Sequence, residues 1–169
     1  MSSNIKGISC FPLALLCISS LFYSCNRNGI AANLKEMYGK EIIFPDSFNS
    51  GHDYVMVHYI DSSNCTSCKL KAEHWKSLFD EIRKEGISID MIFVSHPKIY
   101  DDAKKIIFNV FPDSISVLND LNNNWRSTND IPPNDIFHSF LIKKGYGIIV
   151  IGNPITNEKI KQLMYDHMK

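Results

Sequence analysis

An excess of charge of one sign is missing from this chain: 18 Lys and Arg stand against 18 Asp and Glu, a formal net charge of +0. That balance excludes a broad electrostatic pull toward nucleic acid, and no basic stretch interleaved with aromatics supplies a local one. There is no glycine-rich phosphate loop and no internal repeat. Nor is there an apolar run of the roughly 20 residues that a membrane span requires. Cysteine is scarce, five residues in 169, so the position of each carries weight.

What is present begins with the N-terminus. One Lys at position 6 precedes an apolar run of about 15 residues from Ile8 to Phe22, followed by small Ser24 and then Cys25. A single positive charge, a short apolar stretch and a small residue before a break describe a secretory signal. Leu21-Phe22-Tyr23-Ser24-Cys25 resembles a bacterial lipobox, with Tyr23 larger than the residue usual at its place. The resemblance implies cleavage after residue 24 and lipid on Cys25; the alternative is a plain cleaved signal or an N-terminal anchor, with Cys25 an incidental thiol. The expected organisation is a signal over residues 1–24, a tether over 25–38 and one domain over 39–169. At about 145 residues the mature part fits a single core.

Removing the signal isolates one pair of thiols. Cys10 and Cys17 lie in the apolar run and Cys25 would be taken by lipid if the lipobox resemblance holds, which would leave Cys65 and Cys68. The run Val55-Met56-Val57-His58-Tyr59-Ile60 reads as a buried central strand, apolar on both faces apart from His58. A helix is expected from Cys68 to Arg83, with Leu70, Trp75, Leu78, Phe79 and Ile82 at helical spacing and Gly86 as its stop. Cys65-Thr66-Ser67-Cys68 therefore sits where strand passes to helix. Two thiols three residues apart there share a face and lie close enough to form a disulfide. A helix N-terminus lowers the pKa of the first, making thiolate available near neutral pH. The spacing points to dithiol–disulfide chemistry, in an exported chain that meets an oxidising compartment.

The remaining elements follow from local pattern. Leu34 to Tyr38 reads as a helical turn and Glu41 to Phe44 as an edge strand stopped by Pro45. Ile87 to Val94 is a second buried strand. Tyr100 to Phe111 is a helix with Ala103, Ile106, Ile107 and Val110 inward, and Ile115 to Leu118 a short strand. Asn119 to Asp135 reads as a polar loop with one helical turn around Trp125. Phe140–Ile142 and Ile148–Ile151, flanking Lys143-Lys144-Gly145-Tyr146-Gly147, form a hairpin signal. Glu158 to Met168 closes the chain as a helix with Ile160, Leu163 and Met164 inward. This order favours parallel strands with covering helices, finished by an antiparallel pair.

With the dithiol at the strand-to-helix junction, the order resembles the thioredoxin fold, and within it exported bacterial redoxins and small thioredoxin-like lipoproteins. The pieces that carry the likeness are 39–45, 61–69, Ser139-Phe140-Leu141-Ile142 and Ile151-Gly152-Asn153-Pro154, and the segment from Ile115 to Pro133 resembles an insertion that redoxins carry. The resemblance implies a three-layer α/β/α sandwich with a central mixed sheet. It implies that Cys65 attacks and Cys68 resolves, and that the chain is a thiol–disulfide oxidoreductase acting on exported proteins. Its partners would be exported protein thiols and disulfides and a redox donor, with the membrane reached through the lipid at Cys25. No cofactor or metal is implied. The cell envelope, facing the periplasm, is the expected location.

The pattern departs from the family at several positions. Phe137 occupies the place of the family's cis-proline. Tyr59 occupies the place of its buried acid, whose role is vacant or moved to Asp61. Asn64 replaces an aromatic before the first cysteine, and Glu73 replaces a kinking proline. Thr66 and Ser67 set the redox potential in a direction that their identity does not give. Lys69 and Lys71 either support a thiolate or form a solvated face, and His58, Trp75 and Trp125 read first as packing residues. A zinc site needs four ligands and finds two cysteines; a copper site would need His96 or His138 as a third ligand. A peroxide-reducing redoxin lacks its Pro-x-x-x-Thr-x-x-Cys arrangement. The competing reading is a non-catalytic binding module braced by a disulfide, which the Phe at 137 favours.

Overall fold

A computed structural model of the chain describes residues 29–62, 70–111 and 115–169. The segment read as a signal, residues 1–24, Cys25 and the Cys65–Cys68 pair lie outside the described residues. Backbone contacts divide the chain into two units, residues 1–36 and 37–169. Residues 29–37 are helical (α1), so much of the segment read as a tether has regular structure.

The larger unit is built on five strands: β1 (Tyr54–Ile60), β2 (Ile89–Ser95), β3 (Ser116–Asn119), β4 (Ser139–Lys143) and β5 (Gly147–Ile151). Their order across the sheet is β3-β2-β1-β4-β5. β3, β2 and β1 run parallel, while β4 pairs antiparallel with β1 and with β5. The two inner parallel strands are apolar on both faces apart from His58, Asp90 and Ser95, as suits strands covered from two sides. Val57, Ile92, Phe93 and Val94 are fully buried.

Three helices, α2 (Ala72–Lys84), α3 (Tyr100–Val110) and α5 (Glu158–Met168), share one core with the sheet. Trp75, Leu78, Phe79 and Ile82 form the buried stripe of α2, at the helical period its sequence shows. Gly86, at φ +77, turns the chain out of α2: Ile87 N–H donates to Ile82 O and Gly86 N–H to Arg83 O. Asn157 caps α5, its Oδ1 accepting from Lys159 N and Ile160 N. Lys161 of α5 reaches Glu81 of α2 at 2.7 Å. The opposite face of the sheet is covered by irregular chain and the short helix α4 (Asn124–Thr128), where Trp125 stacks on Tyr59 at 6.5 Å between ring centroids.

Three expectations need correction. The helix expected from Cys68 is continuous only from Ala72, because Lys71 adopts left-handed backbone, φ 47. Residues 41–44 are not a strand. Gly39 and Lys40 make one pair of main-chain hydrogen bonds with Ile148 of β5, after which the polar groups of Ile43 turn to the Asn129 side chain. Leu163 is 37% exposed, and α5 buries Met164, Tyr165 and Met168 instead. Among the described residues no helix is long and apolar enough to cross a membrane.

Candidate active site

The connection from β1 to α2 leaves the sheet where β1 and β2 end, β4 begins and β5 ends. β1 delivers two consecutive polar side chains to this point, and strand alternation sends them to opposite faces. His58 lies opposite Ser139 in the β1–β4 register, and its Nδ1 is 2.8 Å from Ser139 Oγ. Its ring packs on Trp75 at 4.9 Å and edge-on to Phe93 at 6.0 Å. Burial, with a smaller repulsion from His138, pushes its pKa down to about 3, so the imidazole is neutral.

Tyr59, on the other face, is 1% exposed and donates from Oη to Asp120 Oδ2 at 3.1 Å. Burial, then the Asp120 carboxylate, pushes the phenol upward, so Tyr59 acts as a hydrogen-bond donor and not as a proton carrier. Asp120 is itself 1% exposed and accepts from Trp125 N at 2.7 Å through its second oxygen. Arg126 lies over the Tyr59 ring at 5.1 Å and donates to Ile131 O and Pro132 O. Its guanidinium stands 3.7 Å from Asp61 Oδ2.

His138 closes the group, its ring 5.3 Å from Tyr59. It is 6% exposed, and its pKa is lowered by burial and by Arg126, against opposing effects of Asp61, Asp135 and a hydrogen bond to the Pro133 main chain. Its Nε2 is buried and has no hydrogen-bond partner among the described residues. Beside these groups a cleft of about 740 Å³ opens, lined by His58, Tyr59 and Lys71 from the flanks of the connection and by His138, Ser139 and Gly152 from the hairpin side.

The sequence-expected site residues fall unevenly on this geometry. Cys65, Thr66, Ser67 and Cys68, with Asn64 and Lys69, lie outside the described residues. Asp61 is at the site, half-buried, and accepts from Ser62 Oγ at 3.2 Å. Phe137 is fully buried in a 3-10 turn, Asp135–His138, its N–H bonded to Asn134 O at 3.0 Å. No cis peptide bond occurs among the described residues. Lys71 is exposed at the cleft wall. His96 caps a short turn, its Nδ1 accepting from Lys98 N, while Trp75 and Trp125 pack. Among the described residues no group of three or more His, Cys, Asp or Glu could hold a metal ion. Sequence reasoning missed Asp120 and Arg126, which stand in a stretch whose Asn and Asp content reads only as loop.

No protein-family model matches the chain, and no curated protein is similar to it in sequence. Solved structures are similar in fold. A domain of a possible thiol-disulfide isomerase from Cytophaga hutchinsonii superposes with a TM-score of 0.54 at 13% identity, covering 77% of this chain and 93% of that one. A candidate thiol:disulfide interchange protein DsbE from Chlorobium tepidum gives 0.51 at 15% identity, covering 80% and 85%. The C-terminal domain of an uncharacterized protein from Bacteroides fragilis gives 0.50 at 15% identity, covering 76% and 96%. The fold of this chain is thioredoxin-like, with a mixed five-stranded sheet and helices.

Proposed function

We propose that this protein is a thiol–disulfide oxidoreductase, held at a membrane by lipid on Cys25 and acting on exported proteins through Cys65 and Cys68. The observation that carries the reading is that Cys65 and Cys68, three residues apart, fall in the β1–α2 connection of a thioredoxin-like fold, whose flanks line a cleft. The two solved structures named for thiol-disulfide isomerase or interchange support it by likeness of fold.

In the reducing direction the Cys65 thiolate attacks one sulfur of a partner disulfide. That S–S bond breaks, a mixed disulfide forms, and the partner's other sulfur leaves as thiolate and takes up a proton. Cys68, deprotonated, then attacks Cys65 Sγ and displaces the partner's second sulfur. The partner gains two electrons and two protons, and the Cys65–Cys68 pair becomes the disulfide. A dithiol donor must reduce it again; run backward, the same steps oxidise a partner.

Cys68→Ala is the test. It removes the resolving sulfur, so mixed disulfides through Cys65 should accumulate. Absence of trapped partners, together with a Cys65 pKa near the free value of about 8.5, would overturn the reading. The reduction potential gives direction: near about −270 mV a reductant, near about −120 mV an oxidant.

A non-catalytic binding module is the second reading, favoured by Phe137, whose main-chain N–H is used within its own turn. Insulin reduction with a thiol donor separates the two. A rate that is the same in Cys65→Ser supports the binding module.

A further inference from the structure

The end of the sheet away from the cleft is where β1 and β2 begin and where Lys143-Lys144-Gly145-Tyr146 turns β4 into β5. The chain enters the larger unit at this same end. Gly39 N donates to Ile148 O at 2.8 Å and Ile148 N to Lys40 O at 3.0 Å, so residues 39–40 lie beside the first residues of β5. β1 is seven residues long, which puts the start of the β1–α2 connection about 20 Å farther along the sheet.

The surface here is tyrosine and lysine. Tyr146 is 68% exposed and Tyr38 47%. Lys143 Nζ lies 5.1 Å from the centre of the Tyr146 ring and 5.6 Å from that of Tyr54, whose Oη donates to His167 O at 3.2 Å. The acid beside the turn is Asp53, whose main-chain O accepts from Lys144 N at 2.9 Å, so two ammonium groups stand against its one carboxylate. Tyrosine and lysine together suit the headgroup layer of a bilayer, where the ring sits at the boundary and the ammonium meets lipid phosphate.

An exposed tyrosine by itself needs no partner; the length of chain before the domain is the second observation. The four residues from Cys25 to Gly29 span at most about 14 Å, and helix α1 over 29–37 adds about 12 Å, so lipid on Cys25 would hold Met37 within about 26 Å of a bilayer surface. The end that carries Tyr146 is therefore the end that an anchor brings to the membrane.

We infer that the β4–β5 turn, Tyr146 with Lys143 and Lys144, rests in the headgroup layer of a bilayer containing anionic phospholipid. The domain then stands on this end, with the β1–α2 connection turned away from the membrane toward exported partners. The inference rests on the lipid anchor at Cys25, which supplies nearness but no orientation. An anchor alone lets the domain lie on any side; the turn removes the orientations in which the bilayer covers the cleft.

The test places a fluorophore at each end of the sheet. The full mature chain is reconstituted into vesicles of phosphatidylethanolamine with a minority of phosphatidylglycerol, with and without bromine near the carboxyl end of the acyl chains. Tyr146→Trp puts an indole at the turn; Leu121→Trp puts one at the cleft end, two residues after β3 and 60% exposed. Trp75 and Trp125 are buried and give a background that the parent chain measures. Emission from position 146 should shift to the blue and be quenched by bromine, while position 121 should behave as if in water. Adding Lys143→Gln and Lys144→Gln to Tyr146→Trp should lower the ratio of seated to free orientations about thirtyfold, and with it most of the quenching. No quenching at 146, equal quenching at both positions, or quenching that survives loss of both lysines would overturn the inference. The mass of the mature chain tests the anchor separately. Lipid on Cys25 with position 146 unquenched sinks the orientation alone, whereas a chain without lipid sinks the anchor reading and the orientation with it.

Discussion

Tyr59 Oη and Asp120 Oδ2 lie 3.1 Å apart with both residues 1% exposed, tying the end of β1 to the residue after β3. The remaining Asp120 oxygen takes the main-chain N–H of Trp125, the residue that stacks on Tyr59. One carboxylate thus satisfies two buried donors and seats the layer opposite the three long helices.

Asp120→Ala should therefore cost more than Tyr59→Phe. Removing the carboxylate strands a hydroxyl and a main-chain N–H, for about 2–3 kcal/mol, whereas removing the hydroxyl leaves Asp120 one donor and costs about 1 kcal/mol. Urea unfolding of both variants checks this. Equal losses would mean that the Trp125 N–H bond contributes nothing.

Stability toward acid is the second prediction. Folded His58 stays neutral down to about pH 3, whereas in the unfolded chain it takes a proton near its ordinary 6.5. Between those values protons favour the unfolded chain, so stability falls as pH drops through that window; above 6.5 the group contributes nothing. The slope from this one residue reaches about 1.4 kcal/mol per pH unit. His58→Asn keeps a polar partner for Ser139 Oγ and should flatten the acid limb without levelling it, because His138 is also held neutral by burial. Denaturant midpoints at several pH values would show it, and an equally steep acid limb in the variant would refute the assignment.

These two residues also mark how far the sequence is legible. The stripe Trp75, Leu78, Phe79, Ile82 and the doubly buried run of β1 announce themselves through local periodicity, as do the hairpin and α5. That pattern sufficed for the fold, because covering helices and a central strand are local consequences of it. Residues 41–44 show its limit: a short apolar run has strand composition, but whether it pairs depends on how far β5 is available. Here Asn129 takes Ile43 after a single pair. Leu163 fails for a similar reason, since which face of α5 meets the sheet is a matter of docking angle. Asp120 and Asn129 read as loop polarity because their partners, Tyr59 and Ile43, are 61 and 86 residues away.

The hairpin supplies a paired prediction. Gly145 and Gly147 have nearly equal backbone, φ +79 and +72, but differ in surroundings. A Cβ at Gly145 meets nothing within 4 Å, while at Gly147 it would lie 2.4 Å from Gly39 O and 2.6 Å from Lys40 O. Gly145→Ala should carry only the left-handed strain of about 1 kcal/mol; Gly147→Ala adds overlap with main chain and should reach about 3 kcal/mol. Thermal melts of the two variants test the difference. Matching melting temperatures would mean that Gly39 and Lys40 yield freely.

The last prediction concerns Asn129, 1% exposed, which holds residues around 43 against the sheet's second face. Its Oδ1 accepts from Ile43 N at 2.7 Å, and its Nδ2 donates to Ile43 O at 3.0 Å and to Trp125 O at 2.9 Å. Asn129→Asp preserves the first bond but turns the other two into oxygen facing oxygen in a buried site. The cost should be about 2–3 kcal/mol, since two acceptors lose their donor and a carboxylate is left with one. Because 41–44 has no ladder of its own, the loss should appear first as local opening. Amide exchange should accelerate at Ile43 while β1 and β2 stay protected. If exchange at Ile43 were unchanged, other contacts such as Phe44 with Trp125, 6.3 Å between ring centroids, would be what holds this segment.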